Sequence, residues 1–294
     1  MNTQQLIKKL NAYERLMRLD KPIGILLLLW PTLWALWIAS RGKPDWIVVL
    51  VFVTGTVLMR SAGCVMNDIA DRQYDGLVER TKNRPLATGE VNVKEAYLLA
   101  AGLILLAFWL VLLFNKATIL LSLAALFLAV SYPFTKRFLA IPQAYLGIAF
   151  GFGIPMAFAA VNDYIPPVAW ALLLANVFWA IAYDTEYAMV DRDDDLKIGI
   201  KSSALFFGKY DVLAVMLCYA AMLGLLAYIG QYLLGFGLYY YLSLAIAFAL
   251  VILQYIAIKK RLKADCFKAF LQNNSIGLAI FAGILAQYYL KYPI

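Results

Sequence analysis

Residues 46–75 read WIVVLVFVTGTVLMRSAGCVMNDIADRQYD, an apolar run of bilayer-crossing length with one arginine inside it, Arg60, and a polar end that holds an amide, three aspartates and a second arginine, Arg72. Its first part decides the fold class. A stretch of about 20 apolar residues with a single charge is long enough to cross hydrocarbon as a helix. Its second part locates chemistry, because acids at the end of such a span lie at the membrane surface, where water, cations and phosphates are available.

The rest of the 294-residue chain repeats the first part. Hydrophobic residues make up 64% of it, against roughly 45 to 50% in an ordinary soluble chain, and only 15% are charged. Apolar runs lie near 22–40, 46–66, 95–114, 117–133, 143–161, 165–183, 212–230, 236–258 and 273–290. Open sheets cannot span a bilayer, and the alternating pattern of a membrane barrel is absent, so the fold class is an all-α membrane protein with nine transmembrane helices in a single unit over 1–294. The segments 67–94 and 184–211 are expected as Asp-rich loops.

Charge sets the expected orientation. Lys and Arg number five before the first span, five in 67–94, two in 134–142, four in 184–211 and five in 259–272, against four on the other side. Basic residues accumulate in cytoplasmic loops, so the N-terminus is expected in the cytoplasm and the C-terminus outside. The net charge of +8 is then a topology signal rather than a nucleic-acid footprint. A cleavable signal peptide is not expected, and no obligate protein partner is inferred. Tyr239, Tyr240, Tyr241, Tyr288, Tyr289 and Tyr292 are expected to anchor an outer interfacial belt.

The chain has no histidine, which excludes imidazole metal sites and His-dependent nucleophilic catalysis. Its three cysteines, Cys64, Cys218 and Cys266, are too far apart for a CxxC pair and are read as small hydrophobes.

Ten of the 18 acidic residues fall in two short segments: Asp68, Asp71, Asp75 and Glu79, then Asp184, Glu186, Asp191, Asp193, Asp194 and Asp195. Both follow an even-numbered span, so both face one side. Packed carboxylates repel unless a cation sits among them. If the second span continues as helix, Arg60, Cys64, Asn67, Asp71 and Asp75 form one stripe; Asp184, Asp191 and Asp195 share a face in the other segment, with Tyr187 beside it. The clusters match as Asp71-Arg72 with Asp75 and Asp191-Arg192 with Asp195, which suggests two similar halves each supplying half of one site.

An all-oxygen ligand set suits a hard cation, and Mg²⁺ prefers one or two carboxylates plus phosphate oxygens, so a diphosphate held through Mg²⁺ is the expected ligand. Lys82, Arg84, Lys136, Arg137, Lys197 and Lys201 are candidates for the remaining phosphate oxygens, although topology alone also accounts for single lysines. Arg60 lies inside its span, where a charge costs roughly 2.5 to 3.5 kcal/mol, and is read as a holder of an anionic group, with a carboxylate matching its planar fork.

Other residues read as structure. Glu79, Glu90 and Glu186 are taken as solvated acids, and Asn92 with Glu95 as a capping pair opening the third span. Trp30, Trp34 and Trp37 share a face for packing or lipid contact, Gly147 and Gly151 form a GxxxG contact, and Pro155 bends the fifth span.

The stretch Asn67-Asp68-Ile69-Ala70-Asp71-Arg72-Gln73-Tyr74-Asp75, followed by Lys82-Asn83-Arg84-Pro85-Leu86, resembles the first signature of the UbiA family of intramembrane prenyltransferases. Tyr183 to Asp195, followed by Lys197-Ile198-Gly199-Ile200-Lys201-Ser202, is similar to the second signature in the family's 4-hydroxybenzoate branch. So are Arg18 to Gly24 and Trp30 to Trp34. The resemblance implies a UbiA-type bundle in a bacterial inner membrane, with a central cavity open to the cytoplasm and sideways to lipid. It implies transfer of a polyprenyl group from its diphosphate to the carbon ortho to the hydroxyl of 4-hydroxybenzoate, a ubiquinone-pathway step. Asp71, Asp75, Asp191 and Asp195 would then bind Mg²⁺ and diphosphate with Asn67 and Asp68 assisting, and Arg60, Arg137, Tyr187, Lys201 and Asp184 would bind substrate.

Two other readings fit less well. A CDP-alcohol phosphatidyltransferase expects a DGxxAR continuation that Asp71 to Glu79 lacks. A cation-coupled transporter expects its acids at the bilayer midplane, not at one edge. Within the family a naphthoate, porphyrin or chlorophyll-precursor acceptor stays open.

Overall fold

The computed structural model describes residues 3–291, and all regular structure among them is helical. A short amphipathic helix, α1 (Thr3–Met17), precedes the apolar ones. Then come α2 (Ile23–Ala39), α3 (Trp46–Asp71), α4 (Val93–Val111), α5 (Lys116–Thr135), α6 (Pro142–Gly151), α7 (Gly153–Asn162) and α8 (Pro167–Ile198). A short α9 (Ser203–Phe207) leads to α10 (Asp211–Tyr228), which ends in a π turn, and α11 (Leu238–Ile258) and α12 (Lys263–Lys291) close the bundle.

Among the described residues eight spans are long and apolar enough to cross a membrane, and Ile23–Ala39 is a shorter apolar helix of 17 residues, which together match the nine runs of the sequence. Large apolar side chains point outward from α4, α5 and α11, among them Leu98, Trp109, Phe127 and Ile246. In a protein sheathed by lipid this is the low-energy arrangement. The protein is a multi-pass membrane protein.

The fifth span is two helices. Pro155 offers no N–H to the carbonyl of Gly151, and its ring crowds that carbonyl, so the helix breaks at Phe152, one turn before the proline. Gly147 and Gly151 then let α6 lie directly on α8. A Cβ on Gly147 would sit 2.8 Å from the Cα of Val177, and one on Gly151 2.5 Å from Asn176 Nδ2.

Helix α8 is the central strut, packed against α6, α7, α10 and α12. It runs 32 residues, about 48 Å at 1.5 Å per residue, and so projects beyond a hydrocarbon layer of about 30 Å. The expected loop from 184 is therefore helix through Ile198, stopped by Gly199 at φ +74°. Packing on more than one side explains this: Glu186 is buried toward α10 and α12 and Asp191 is held by Arg80 on another side, so the helix stays enclosed as far as Asp191 while Asp193 reaches water.

The first acidic segment departs from its expected stripe in the opposite sense. Helix α3 ends at Asp71, and Asp75 sits on a separate 3₁₀ turn, Asp75–Leu77. Asn92 and Glu95 form the expected reciprocal cap on α4.

Two structural expectations are corrected. Glu186, read as solvated, is fully buried in the bundle. Tyr240, read as an interfacial anchor, is buried with its hydroxyl donating to the carbonyl of Leu226 at 3.0 Å, whereas Tyr239 and Tyr289 are exposed; Tyr292 lies outside the described residues. The tryptophans of α2 pack inward: Trp34 stacks on Trp179 at 5.4 Å and Trp37 meets Phe281 edge-on at 5.1 Å.

Candidate active site

The ends of α3 and α8 carry the acids to one place. Asp71, Asp75, Asp191 and Asp195 line a single small pocket of about 120 Å³, together with Tyr132, Lys136, Gln143, Asp184, Tyr187 and Lys201. A larger cavity of about 860 Å³ lies beside it. Its walls are apolar over much of their area, with Phe52, Phe108, Phe114, Leu126 and Met156, and Arg60 and Asn67 face into it. Tyr132, Lys136, Asp184 and Tyr187 line both spaces and form the boundary between them.

Basic side chains hold the acids apart. Asn67 donates to Asp71 Oδ2 at 3.2 Å, and Lys136 Nζ reaches Asn67 Oδ1 and Asp71 Oδ2, each at 3.3 Å. Arg84 Nη1 donates to Asp75 Oδ1 and to Asp68 Oδ1, both at 2.9 Å. Arg80 grips Asp191 through Nε at 3.0 Å and Nη2 at 2.6 Å, and its guanidinium lies 4.5 Å from the Tyr187 ring centroid. Arg80 belongs to the turn after Asp75, so the first acidic segment supplies the cation that orders the second.

Electrostatics follow from this packing. Burial raises the Asp75 carboxyl above the ordinary carboxylate value; Arg84 pulls it back, while Asp68 and Asp71 push it further up. Burial opposes the Arg84 charge, yet the carboxylates of Asp68 and Asp75 hold its pKa above the usual value.

Asp68 stands apart from the small pocket. It is 1% exposed and accepts two hydrogen bonds of 2.9 Å from Arg18 besides that from Arg84, so its oxygens are engaged by arginines. Arg137 is turned away, donating to the carbonyl of Ala70 at 3.2 Å, and Lys201 Nζ donates to the carbonyl of Phe138 at 3.0 Å while lining the pocket.

Arg60 lies over Phe150 at 5.5 Å, and its Nη1 donates to Cys64 Sγ at 2.7 Å. Its Nε is buried with no hydrogen-bond partner among the described residues. That Nε–Nη2 edge lies against Gly24, while Arg60 lines the cavity wall and forms no ion pair with a carboxylate among the described residues.

Sequence reasoning missed Arg80, Tyr132 and Gln143. Arg80 differs in no local way from the other basic residues of 67–94, and only its pairing across 111 positions to Asp191 marks it.

The donor set fits a hard divalent cation. Carboxylates and an amide line one pocket without nitrogen or sulfur ligands, and among the described residues no three acids close on one point to form a complete cage. That is the arrangement expected where water and phosphate oxygens complete the coordination of Mg²⁺.

Comparison with known proteins gives the same fold. The family model described as "UbiA prenyltransferase family" matches residues 28–276. A 4-hydroxybenzoate octaprenyltransferase of Azoarcus sp. (strain BH72) is 64% identical over 280 residues, covering 95% of this chain and 97% of the relative. That of Methylobacillus flagellatus is 63% identical, covering 99% and 98%. Among solved structures, the apo UbiA homolog from Aeropyrum pernix K1 superposes with a TM-score of 0.77 at 28% identity, covering 90% of this chain and 97% of that one. A UbiA homolog from Archaeoglobus fulgidus, solved with GPP and Mg²⁺, shares the fold with a TM-score of 0.68 at 20% identity, covering 92% and 99%.

Proposed function

The chain belongs to the UbiA prenyltransferase family, and from that premise we propose that it transfers a polyprenyl group from its diphosphate to the ring carbon ortho to the hydroxyl of 4-hydroxybenzoate, in the bacterial inner membrane. The observation that carries this reading is the convergence of both aspartate pairs on one pocket that shares Tyr132, Lys136, Asp184 and Tyr187 with a large apolar cavity beside it. The diphosphate occupies the small pocket, and the prenyl chain lies in the large one. The concentration of basic residues in alternate loops supports an N-terminus and a site facing the cytoplasm.

Asp71, Asp75, Asp191 and Asp195 would hold Mg²⁺ together with the diphosphate oxygens, with Asn67 as a further oxygen donor. Bound Mg²⁺ supplies positive charge to the diphosphate oxygens and so eases departure of the leaving group. Lys136 and Arg80 stand beside the small pocket and would donate to the diphosphate oxygens. Asp68 keeps Arg18 and Arg84 in place.

As the allylic C–O bond breaks, its electron pair leaves with the diphosphate and positive charge develops on the prenyl carbon. The apolar walls exclude water that would quench that charge, and Tyr187, with Arg80 over its ring, lines the boundary beside it. Arg60 holds the carboxylate of the acceptor, which orients the phenol so that the carbon ortho to its hydroxyl forms the new C–C bond. Asp184, at the boundary, accepts the proton that this carbon loses. Lys201 contributes to the positive rim of the diphosphate pocket, whereas Arg137, bonded to the Ala70 carbonyl, stands outside it.

The test is direct. Membranes containing the protein, incubated with octaprenyl diphosphate, 4-hydroxybenzoate and Mg²⁺, form prenylated hydroxybenzoate, and chelation of the metal abolishes product. Absence of product with Mg²⁺ present, in protein that retains its fold, refutes the reading.

A further inference from the structure

Glu186 is fully buried in the middle of a motif whose Asp184, Asp191 and Asp195 line the pocket, and the mechanism does not use it. Its side chain points to the opposite side of α8, between α10 and α12. Tyr219 of α10 approaches Oε1 at 3.0 Å, and Asn273 Nδ2 of α12 donates to Oε2 at 2.9 Å. No lysine or arginine pairs with it among the described residues. An ionised carboxylate buried without a cation carries a large desolvation penalty.

The hydrogen count decides its charge. The amide of Asn273 has a fixed orientation: Oδ1 accepts from the indole N–H of Trp179 at 2.8 Å, a group that can only donate, and Nδ2 faces the carbonyl of Ala269 at 3.2 Å, a group that can only accept. The Tyr219 oxygen lies 2.9 Å from that same Asn273 Oδ1 and 3.0 Å from Glu186 Oε1. Tyrosine has one hydroxyl hydrogen. If Glu186 is ionised, two acceptors compete for it, and one close oxygen–oxygen contact is left with no hydrogen in a buried setting. If Glu186 carries a proton on Oε1, that proton goes to the Tyr219 oxygen, the tyrosine hydrogen goes to Asn273 Oδ1, and every group is satisfied.

We infer that Glu186 is held as a neutral carboxylic acid and acts as a positioning residue for the site. The linkage to the site is short. Asn273 stands one turn from Phe270, whose ring packs 4.6 Å from that of Tyr187, and Tyr187 supports Arg80, which orders Asp191. Glu186 itself sits between Asp184 and Tyr187 on α8. The closed network fixes α8 against α12 and thereby sets the Tyr187 face and the Asp191 carboxylate.

Glutamine reproduces this network without a titrating proton: its amide nitrogen donates to the Tyr219 oxygen and its carbonyl accepts from Asn273. In the full-length protein in ester-free detergent, wild type minus Glu186→Gln gives an infrared difference band of a protonated carboxyl that shifts in deuterated water. The Glu186→Gln variant keeps kcat/KM within about threefold of wild type, whereas Glu186→Leu lowers it by roughly tenfold or more, the factor one lost buried hydrogen bond is worth. Tyr219→Phe serves where Glu186→Leu fails to fold, and it too lowers turnover. A difference spectrum showing only carboxylate overturns the protonation. Loss of activity in Glu186→Gln as deep as in Glu186→Leu, or no loss in the folded Glu186→Leu and Tyr219→Phe proteins, overturns the positioning role. The activity arm rests on the prenyl-transfer reading; the infrared arm does not, so the two fail separately.

Discussion

Replacing Gly24 by alanine is expected to damage acceptor binding selectively. A Cβ at this position would lie 2.5 Å from Arg60 Nε and 2.8 Å from Cζ, and equally hard against Nη2. Because both nitrogens are closer than the carbon between them, the methyl group falls in the guanidinium plane, at the Nε–Nη2 edge. Ordinary contact begins at 3.4 Å, so Arg60 must retreat by about 1 Å or turn. Alanine suits a helix, so α2 keeps its shape and the arginine gives way. A misplacement of about 1 Å at a substrate-holding group costs on the order of 10- to 100-fold. The assay is steady-state prenyl transfer with each substrate varied in turn. KM for 4-hydroxybenzoate rises by about tenfold or more and KM for the prenyl diphosphate stays put, with Arg60→Ala showing the same pattern. If Arg60→Ala raises the acceptor KM and Gly24→Ala does not, the packing argument fails; if neither raises it, the carboxylate assignment of Arg60 fails.

Further outcomes follow from other contacts. Arg80→Ala releases Asp191 and removes the cation over Tyr187, and a kcat/KM for prenyl diphosphate lowered by roughly tenfold is expected, given about 1.5 to 3 kcal/mol for a charged hydrogen bond. Gly147→Val drives a branched side chain into the backbone of α8 at Val177 and lowers Tm in a thermal-unfolding assay, by about 1 to 3 kcal/mol of overpacking. Helix α1 is held to the following elements by Arg15 on Glu90 and by Lys9 on Glu95 at 2.7 Å. The Arg15 hydrogen bond holds the Glu90 carboxyl below its ordinary value, so its contribution is present above the unfolded value of about 4.3 and is lost as pH falls through the lower folded value. Protection factors of the α1 amides, corrected for the pH dependence of intrinsic exchange, fall there if the pair docks the helix and stay unchanged if it does not.

The spans and the acids were legible because each is a local property. An apolar run of the 46–66 kind reports its own environment, and the DxxxD spacing of Asp71 with Asp75 and of Asp191 with Asp195 names its own chemistry. What lay beyond reach depends on partners remote in sequence. Glu186 looks like one more acid in a polar segment until Tyr219, 33 residues on, and Asn273, 87 residues on, are packed against it. Arg80 is one of several basic residues until Asp191 reaches it. Tyr240 stands in an aromatic triplet at a helix start, and only the approach of Gly230, where a Cβ would meet its ring, turns it inward. Helix α8 outlasts its apolar run because side chains on more than one of its sides stay buried as far as Asp191, which average hydropathy does not report.

The central claim is that two aspartate pairs on distant helices act as one diphosphate site. It is tested most directly by a double-mutant cycle on Asp71→Asn and Asp191→Asn, reading Mg²⁺-dependent binding of prenyl diphosphate by calorimetry. Residues of one coupled network deviate from additivity by about 0.5 to 3 kcal/mol. The expected result is that each single change removes most of the metal-dependent affinity and the double change adds little. Independent, additive losses, or a silent member of the pair, would contradict the claim.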